Sequence, residues 1–277
     1  MADSRPVVEH YGRGTPIERI RSQLVAQGHD LASLSTTELA GVDEFHLGGG
    51  AATQALLESI EVDASSRVLD IGCGIGGAAR AISRSTGCAV VGVDLTPTFV
   101  ETAGDLSELV GLSERTRFEV ADATALPFDD AEFDAVTMLH VGMNIADKSA
   151  LFSEMARVVR SGGSVHVYDI MRVDAGDVAF PVPWSTSPTS SFLADPQDYL
   201  EAMASVGLEP RQPVDRLGLV RAAIERVREH PPSVDLSHLM GPEWPTMFAN
   251  LVAALDHGVL APFEIVARRQ RDGSETE

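Results

Sequence analysis

Val68-Leu69-Asp70-Ile71-Gly72-Cys73-Gly74-Ile75-Gly76-Gly77 is the stretch on which the reading of the fold turns. Residues 67–71 form a short apolar run of buried-strand type. The glycines that follow allow a tight turn and let the backbone come close to a ligand. Residues 78–85 then read as a helix. A helix that starts on such a loop offers free N–H groups and the positive end of its dipole. Moving outward, residues 89–93 make a second strand that ends at Asp94. Thr96 suits the cap of the next helix and Pro97 its first turn. Phe99, Ala103, Leu106 and Val110 give that helix an apolar stripe. Strands are expected at 117–120, 133–139 and 164–170, with a helix at 150–159 stopped by Ser161-Gly162-Gly163. Strands alternating with helices predict parallel βαβ units in an open, doubly wound α/β sheet.

The flanks differ in texture. Ile17, Ile20 and Leu24 have helical spacing, and Gly28 fits the end of that helix. Further helical segments are expected near 37–40 and 51–60. Residues 1–62 therefore read as a helical cap or lid, and 63–277 as the core. Pro181, Pro183 and Pro188 beside Trp184 break regular structure and make 171–195 a Pro-rich loop. Helices are expected at 196–206, 217–228 and 244–257, the last two forming an insertion over 216–258. Short strands are expected near 208–214 and 263–267.

Composition narrows the function classes. A chain of 277 residues allows one large domain or two small ones. At 44% hydrophobic and 22% charged it is globular rather than disordered. It carries 41 acidic against 21 basic residues, a net charge of −20. That balance disfavours nucleic acid, whose affinity comes from basic residues, and anionic membrane surfaces. All the basic residues except Lys148 are Arg. Two cysteines, Cys73 and Cys88, cannot build a disulfide framework or a four-ligand zinc site, so no metal site is expected. Residues 1–14 hold no apolar signal-peptide core, and no run approaches a membrane span. The expectation is a cytoplasmic, reduced protein with a small-molecule partner, for which a homodimer is allowed.

The glycine loop admits two readings. Gly72-x-Gly74-x-x-Gly77 matches a dinucleotide fingerprint, as in an NAD(P)-dependent oxidoreductase. Asp70-x-Gly72-x-Gly74-x-Gly76 matches the acidic loop of S-adenosylmethionine-dependent methyltransferases. Asp70 favours the second. A carboxylate at the strand end repels a pyrophosphate but accepts a hydrogen bond from an ammonium group. Asp94 ends the second strand and can bind ribose hydroxyls, which both ligands require. Asp122 follows the third strand and can take an adenine amino group. Three carboxylates at successive strand ends lie on the edge where such sheets bind ligands. No Tyr-x-x-x-Lys pair is present for hydride chemistry.

With VLDIGCGIGG (68–77), GVDLT (92–96), ADATALPF (121–128), FDAVTMLHVGMNI (133–145) and ARVVRSGGSVHVYDI (156–170), the chain resembles class I S-adenosylmethionine-dependent methyltransferases. The likeness is to the small-molecule type that includes sarcosine/dimethylglycine and ubiquinone-pathway enzymes. Ser161 stands where proline is usual before strand five. The resemblance covers about residues 64–171 and implies a Rossmann-like, seven-stranded sheet with a reversed last strand. It implies S-adenosylmethionine as cofactor, S-adenosylhomocysteine as product, and an N, O or C nucleophile on a small molecule as acceptor. Cofactor contacts are expected from Asp70, Gly72, Cys73, Gly74, Gly76, Asp94, Leu95, Asp122, Ala123 and Leu139.

Acceptor residues belong at the same edge. His140 follows strand four and is the candidate catalytic residue, as a base or as a hydrogen-bond donor. Asn144 either caps the next helix or contacts substrate. By resemblance, Tyr11 and His46 are candidate lid residues. Asp169 would suit a cationic acceptor; Trp184 either walls an apolar or quaternary-ammonium site or anchors the Pro-rich loop as a hydrophobic residue. Cys73 has no paired base in view and reads as a small loop residue, not a nucleophile.

Overall fold

The computed structural model describes residues 16–43, 46–230 and 241–271. Three helices come first: α1 (Pro16–Ala26), α2 (Thr36–Asp43) and α3 (Gly50–Ser59). Strand β1 (Arg67–Ile71) leads through the glycine loop into α4 (Gly77–Thr86). Then follow β2 (Ala89–Asp94), α5 (Pro97–Leu109), β3 (Thr116–Val120), β4 (Phe133–Leu139), α6 (Lys148–Val158) and β5 (Val159–Arg172). These five strands lie parallel in the order β3-β2-β1-β4-β5. The chain winds one way through β1, β2 and β3 and the other way through β4 and β5. The crevice at the β1/β4 switch is where such sheets hold ligands.

The rest completes the sheet's edge. Helix α7 (Pro196–Ser205) precedes β6 (Leu208–Pro210) and β7 (Val214–Asp215); α8 (Leu217–Glu229) and α9 (Trp244–Asp256) precede β8 (Leu260–Arg269). Strand β8 runs antiparallel to β5, so the last strand is reversed as expected. The sheet has eight strands rather than seven. The extra one arises because β6 and β7 pair with successive parts of the same edge of β8. Pro213, which has no N–H to donate, stands in the gap between them. Strand β5 is also longer than the expected 164–170: it resumes pairing at Val159 beside Phe133, with a register shift around Gly162-Gly163.

Alternating strand residues feed two cores. Leu69, Ile71, Val91 and Met138 pack with Leu151, Phe152, Met155 and Tyr199 on one face. Val68, Val90 and Ala135 pack with Ala79, Ile82, Leu56 and Ile60 on the other. Helices α1 and α2 add Ile20, Leu24, Leu39 and Val42 to a third cluster with Ile75, Phe99 and Leu106. The N-terminal helices are thus bound directly to the glycine loop and α5. Two expected caps differ. Thr96 holds the N-cap position of α5 without a side-chain cap bond. Helix α6 is capped by Asp147, whose side chain accepts from the Ala150 N–H at 2.8 Å, and not by Asn144. Among the described residues no helix is long and apolar enough to cross a membrane.

Gly77 shows how closely the N-terminal helices dock. A Cβ there would lie 1.9 Å from the Asp43 carbonyl oxygen, a backbone atom that cannot swing away. Gly77→Ala is therefore expected to force α2 off α4 and cost about 1–3 kcal/mol, as overpacking does. The check is a lowered unfolding midpoint in denaturant with far-ultraviolet dichroism of the native protein nearly unchanged.

Candidate active site

The cavity opens at the C-terminal ends of β1, β2 and β4. Asp70 is placed by its strand between Gly92 of β2 and Thr137 of β4. Its Oδ1 accepts from the Thr137 hydroxyl at 2.7 Å. Its Oδ2 is buried and has no hydrogen-bond partner. Burial pushes the Asp70 pKa up to about 7, against the Thr137 hydrogen bond and with help from nearby Asp94. A carboxylate so stripped of partners is complete only when a donor, preferably a cation, arrives.

The glycine loop is shaped around that position. Gly72, Gly74 and Gly76 all have positive φ, at 67°, 53° and 86°. A Cβ on Gly72 would strike Val141 at 2.1 Å, so the loop touches the segment after β4. Asp94 fastens the loop from the side: its Oδ2 accepts from the Gly74 N–H at 3.0 Å and its Oδ1 from the Thr96 N–H at 2.8 Å. Those bonds partly offset the burial that raises its pKa. Each oxygen keeps a lone pair for further donors such as vicinal hydroxyls. Asp122 is folded into a turn in which Oδ1 accepts from the Thr124 N–H and hydroxyl at 2.8 and 2.7 Å.

Of the residues expected on the cofactor side, Asp70, Gly72, Cys73, Gly74, Asp94, Leu95, Asp122, Ala123 and Leu139 all line this cavity. Gly76 does not; it caps α4, packed against Phe118 and Arg80. Cys73 is buried, and desolvation followed by the charges of Asp94 and Asp70 drives its thiol pKa well up, the reverse of an activated nucleophile.

Of the residues expected on the acceptor side, His46, His140 and Asn144 line the cavity, together with Val141 and Ile145. The His46 and His140 rings meet edge-on at 6.0 Å, and Tyr168 stacks on His140 at 5.0 Å. Burial holds both histidines neutral, His46 with a pKa near 4 and His140 well below its ordinary value. His46 is linked to Thr53 of α3 at 3.1 Å.

Two expected substrate residues have other duties. The Asp169 carboxylate is fully buried away from this lining, with Oδ2 taken by the Tyr199 hydroxyl at 2.7 Å and Oδ1 by the Ile170 N–H at 2.9 Å. A Cβ on Gly142 would meet it at 2.3 Å, so it sits beneath the turn after β4. Trp184 is 4% exposed in the cluster with Val182, Leu251 and Leu255, and its indole N–H donates to Ser191 at 2.9 Å. It anchors the Pro-rich loop instead of walling the cavity. Tyr11 lies outside the described residues.

The residue that sequence reasoning missed is Asp43, which lines the cavity at the end of α2. Its carboxylate is held by Arg80 of α4 through Nη2 at 2.5 Å and Nε at 3.3 Å. Arg80 also donates to Ile75 O, Ala103 O and Ser107 Oγ at 2.8, 3.2 and 3.3 Å. The available signal was Arg80 itself, a lone charge among Ala78, Ala79, Ile82 and Ser83 on the buried face of a helix.

Residues 69–167 match the family described as methyltransferase domain. Over that stretch the chain is similar to class I S-adenosylmethionine-dependent methyltransferases. The methyltransferase GfsG of Streptomyces halstedii is 33% identical over 173 residues, covering 61% of this chain and 62% of its own length. A chloroplastic tocopherol O-methyltransferase of Arabidopsis thaliana is 34% identical over 120 residues, 43% of this chain and 34% of its own. The chain thus spans less than two thirds of the length of these curated relatives. Among solved structures, a geranyl diphosphate C-methyltransferase from Streptomyces coelicolor A3(2), bound to Mg2+, geranyl-S-thiolodiphosphate and S-adenosylhomocysteine, aligns with a TM-score of 0.72. It covers 97% of this chain and 98% of that one at 18% identity, a likeness of fold.

The Asp43–Arg80 pair lets the methyltransferase fold be probed directly. Asp43→Ala strands a guanidinium that is 0% exposed, so a loss of about 3–5 kcal/mol is expected, as for a broken buried ion pair. The double change Asp43→Ala with Arg80→Met removes the stranded charge and should recover part of that loss in denaturant unfolding.

Proposed function

We propose that the protein transfers a methyl group from S-adenosylmethionine to a small-molecule acceptor with an N, O or C nucleophile, leaving S-adenosylhomocysteine. The observation that carries this reading is the buried, unpartnered Oδ2 of Asp70. The methionine moiety brings an ammonium, which supplies the missing cationic donor. A nicotinamide dinucleotide would instead bring a pyrophosphate against the same carboxylate, so an oxidoreductase is not favoured.

The residues divide the work as follows. Asp70 would hold the ammonium, Asp94 the ribose hydroxyls and Asp122 the adenine amino group, with Leu95, Ala123 and Leu139 as apolar walls. The bound sulfonium supplies a methyl group already activated for in-line transfer. The chain's task is then to seat the acceptor and keep water out. His46, His140, Val141 and Ile145 face the cavity with no ionised group among them, which suits a neutral, largely apolar acceptor. The tocopherol named for one relative is an apolar acceptor of that kind. A net charge of −20 speaks against nucleic acid as the acceptor. Two free, buried cysteines are consistent with a reducing, cytoplasmic setting.

Calorimetry tests the reading: S-adenosylhomocysteine should bind and NADH should not, and the opposite result would overturn it. The same titration carries a pH signature. Only ionised Asp70 pairs with an ammonium, and its pKa in the free protein is about 7. Affinity should be full above that value and weaken as pH falls through it, approaching about tenfold per pH unit, with proton release on binding. Asp70→Asn should bind more weakly and lose this dependence.

A further inference from the structure

We infer that His140 is a fixed hydrogen-bond donor to an oxygen atom of the methyl acceptor and not the base that deprotonates it. The inference rests on the methyltransferase reading and adds the class of acceptor.

The argument begins with the tautomer. His140 Nδ1 accepts from the Leu47 backbone N–H at 3.4 Å. A nitrogen that accepts cannot carry the proton of a neutral imidazole, so the proton sits on Nε2. Nε2 is buried and has no hydrogen-bond partner among the described residues, although the side chain lines the cavity. The one nitrogen with a lone pair is therefore occupied, and the one with a proton lacks an acceptor.

The surroundings keep the ring in that state. The hydroxyl of Tyr168 donates to Leu47 O at 2.8 Å while its ring stacks on His140, interplanar angle 25°. Leu47 is thus gripped at both backbone polar atoms by the same stacked pair. His46 closes the third side, edge-on. His140 also has φ of 56°, a left-handed conformation uncommon for a residue with a Cβ. Its N–H donates to Tyr168 O at 2.7 Å, which holds the turn in place. Backbone strain retained at a cavity wall, with an orphan donor on the same residue, points to a ligand contact.

The chemistry of that contact follows. An N–H donor is satisfied by a carbonyl, phenol or enol oxygen. A neutral amine needs its one lone pair for the methyl group and cannot also accept this N–H, a protonated amine has none, and Asp169, which would have served a cation, is consumed by Tyr199 and Ile170. The acceptor class is an uncharged or anionic oxygen compound, and any proton it loses goes to solvent.

Long-range nitrogen–proton NMR on histidine-labelled protein saturated with S-adenosylhomocysteine tests this. His140 should show a protonated Nε2 and bare Nδ1 from about pH 5.5 to about pH 8; a proton on Nδ1 or an imidazolium in that range overturns the inference. Phenol, as oxygen probe, should shift the Nε2 proton, and dimethylamine, an amine probe without oxygen, should not. A shift with dimethylamine alone, or with neither, overturns the acceptor assignment. His140→Leu should weaken phenol binding about tenfold, the scale of one hydrogen bond; an unchanged phenol affinity counts against the contact. If that variant does not fold, the wild-type ring signals, assigned through proximity to the Leu47 amide, still decide. Failure of S-adenosylhomocysteine to bind would strike the methyltransferase reading instead, and the tautomer is then read in the free protein.

Discussion

A guanidinium has five N–H groups, and Arg80 uses five hydrogen bonds to three different parts of the chain. The charge is fully buried, so every unpaired donor would leave a large desolvation penalty standing. Asp43 neutralises it from the end of α2, Ile75 receives it within the glycine loop, and Ala103 and Ser107 receive it on α5. One side chain thereby sets the spacing of the cofactor loop, the helix that follows Asp94, and the segment that leads to His46. A hydrophobic contact could join the same elements with comparable energy, but it would not fix their relative positions as a planar, saturated fork does. The site depends on this because its carboxylates stand on three separate elements whose separation must match one ligand.

Those carboxylates share a residue type and an edge but not an environment. Asp94 spends its charge on two backbone N–H groups and becomes a bracket for the loop. Asp122 spends one oxygen on a local turn. Asp70 receives a single hydroxyl and is buried, so its charge is the least compensated of the three. Neutral and hydroxyl-bearing parts of a ligand fit the first two; only a cation repays the third. On the proposed reading, the order along the edge runs from purine through ribose to ammonium.

How much of this was legible in the sequence follows from where the determining interactions lie. The β1–loop–α4 unit was readable because strand, turn and helix start are local, and its boundaries agree to within a residue. The meeting of Asp70, Asp94 and Asp122 at one cavity was readable because parallel βαβ winding brings strand ends to one edge by rule. Asp43 and Arg80 were not, since residues 37 apart in sequence meet only through packing of the N-terminal helices. Asp169 was misread for a related reason. Strand-end position gave the right edge, but the partner that consumed its charge, Tyr199, comes from α7, outside the βαβ pattern. For Trp184 the sequence left acceptor wall and loop anchor both open, and the cluster to which α9 contributes buries it as an anchor.

The one lysine in a chain of arginines shows what composition hid. Lys148 donates to the carbonyls of Gly142, Ile145 and Phe192 at 2.8, 2.6 and 2.9 Å. Three carbonyls converging on one point require a compact, rotatable three-donor head; the flat fork of arginine spreads its donors too widely. Burial lowers the Lys148 pKa while Asp169 and Asp198 oppose that, and the ring of Tyr199 lies 5.6 Å away. The ammonium therefore draws together the turn carrying Asn144, the end of the Pro-rich loop and the Asp169–Tyr199 pair. Both cations that shape the site thus act from outside it: Arg80 braces the glycine-loop side and Lys148 the turn after β4. The cavity itself is left without a fixed positive charge among its described lining residues, which is the condition for admitting a ligand that brings its own.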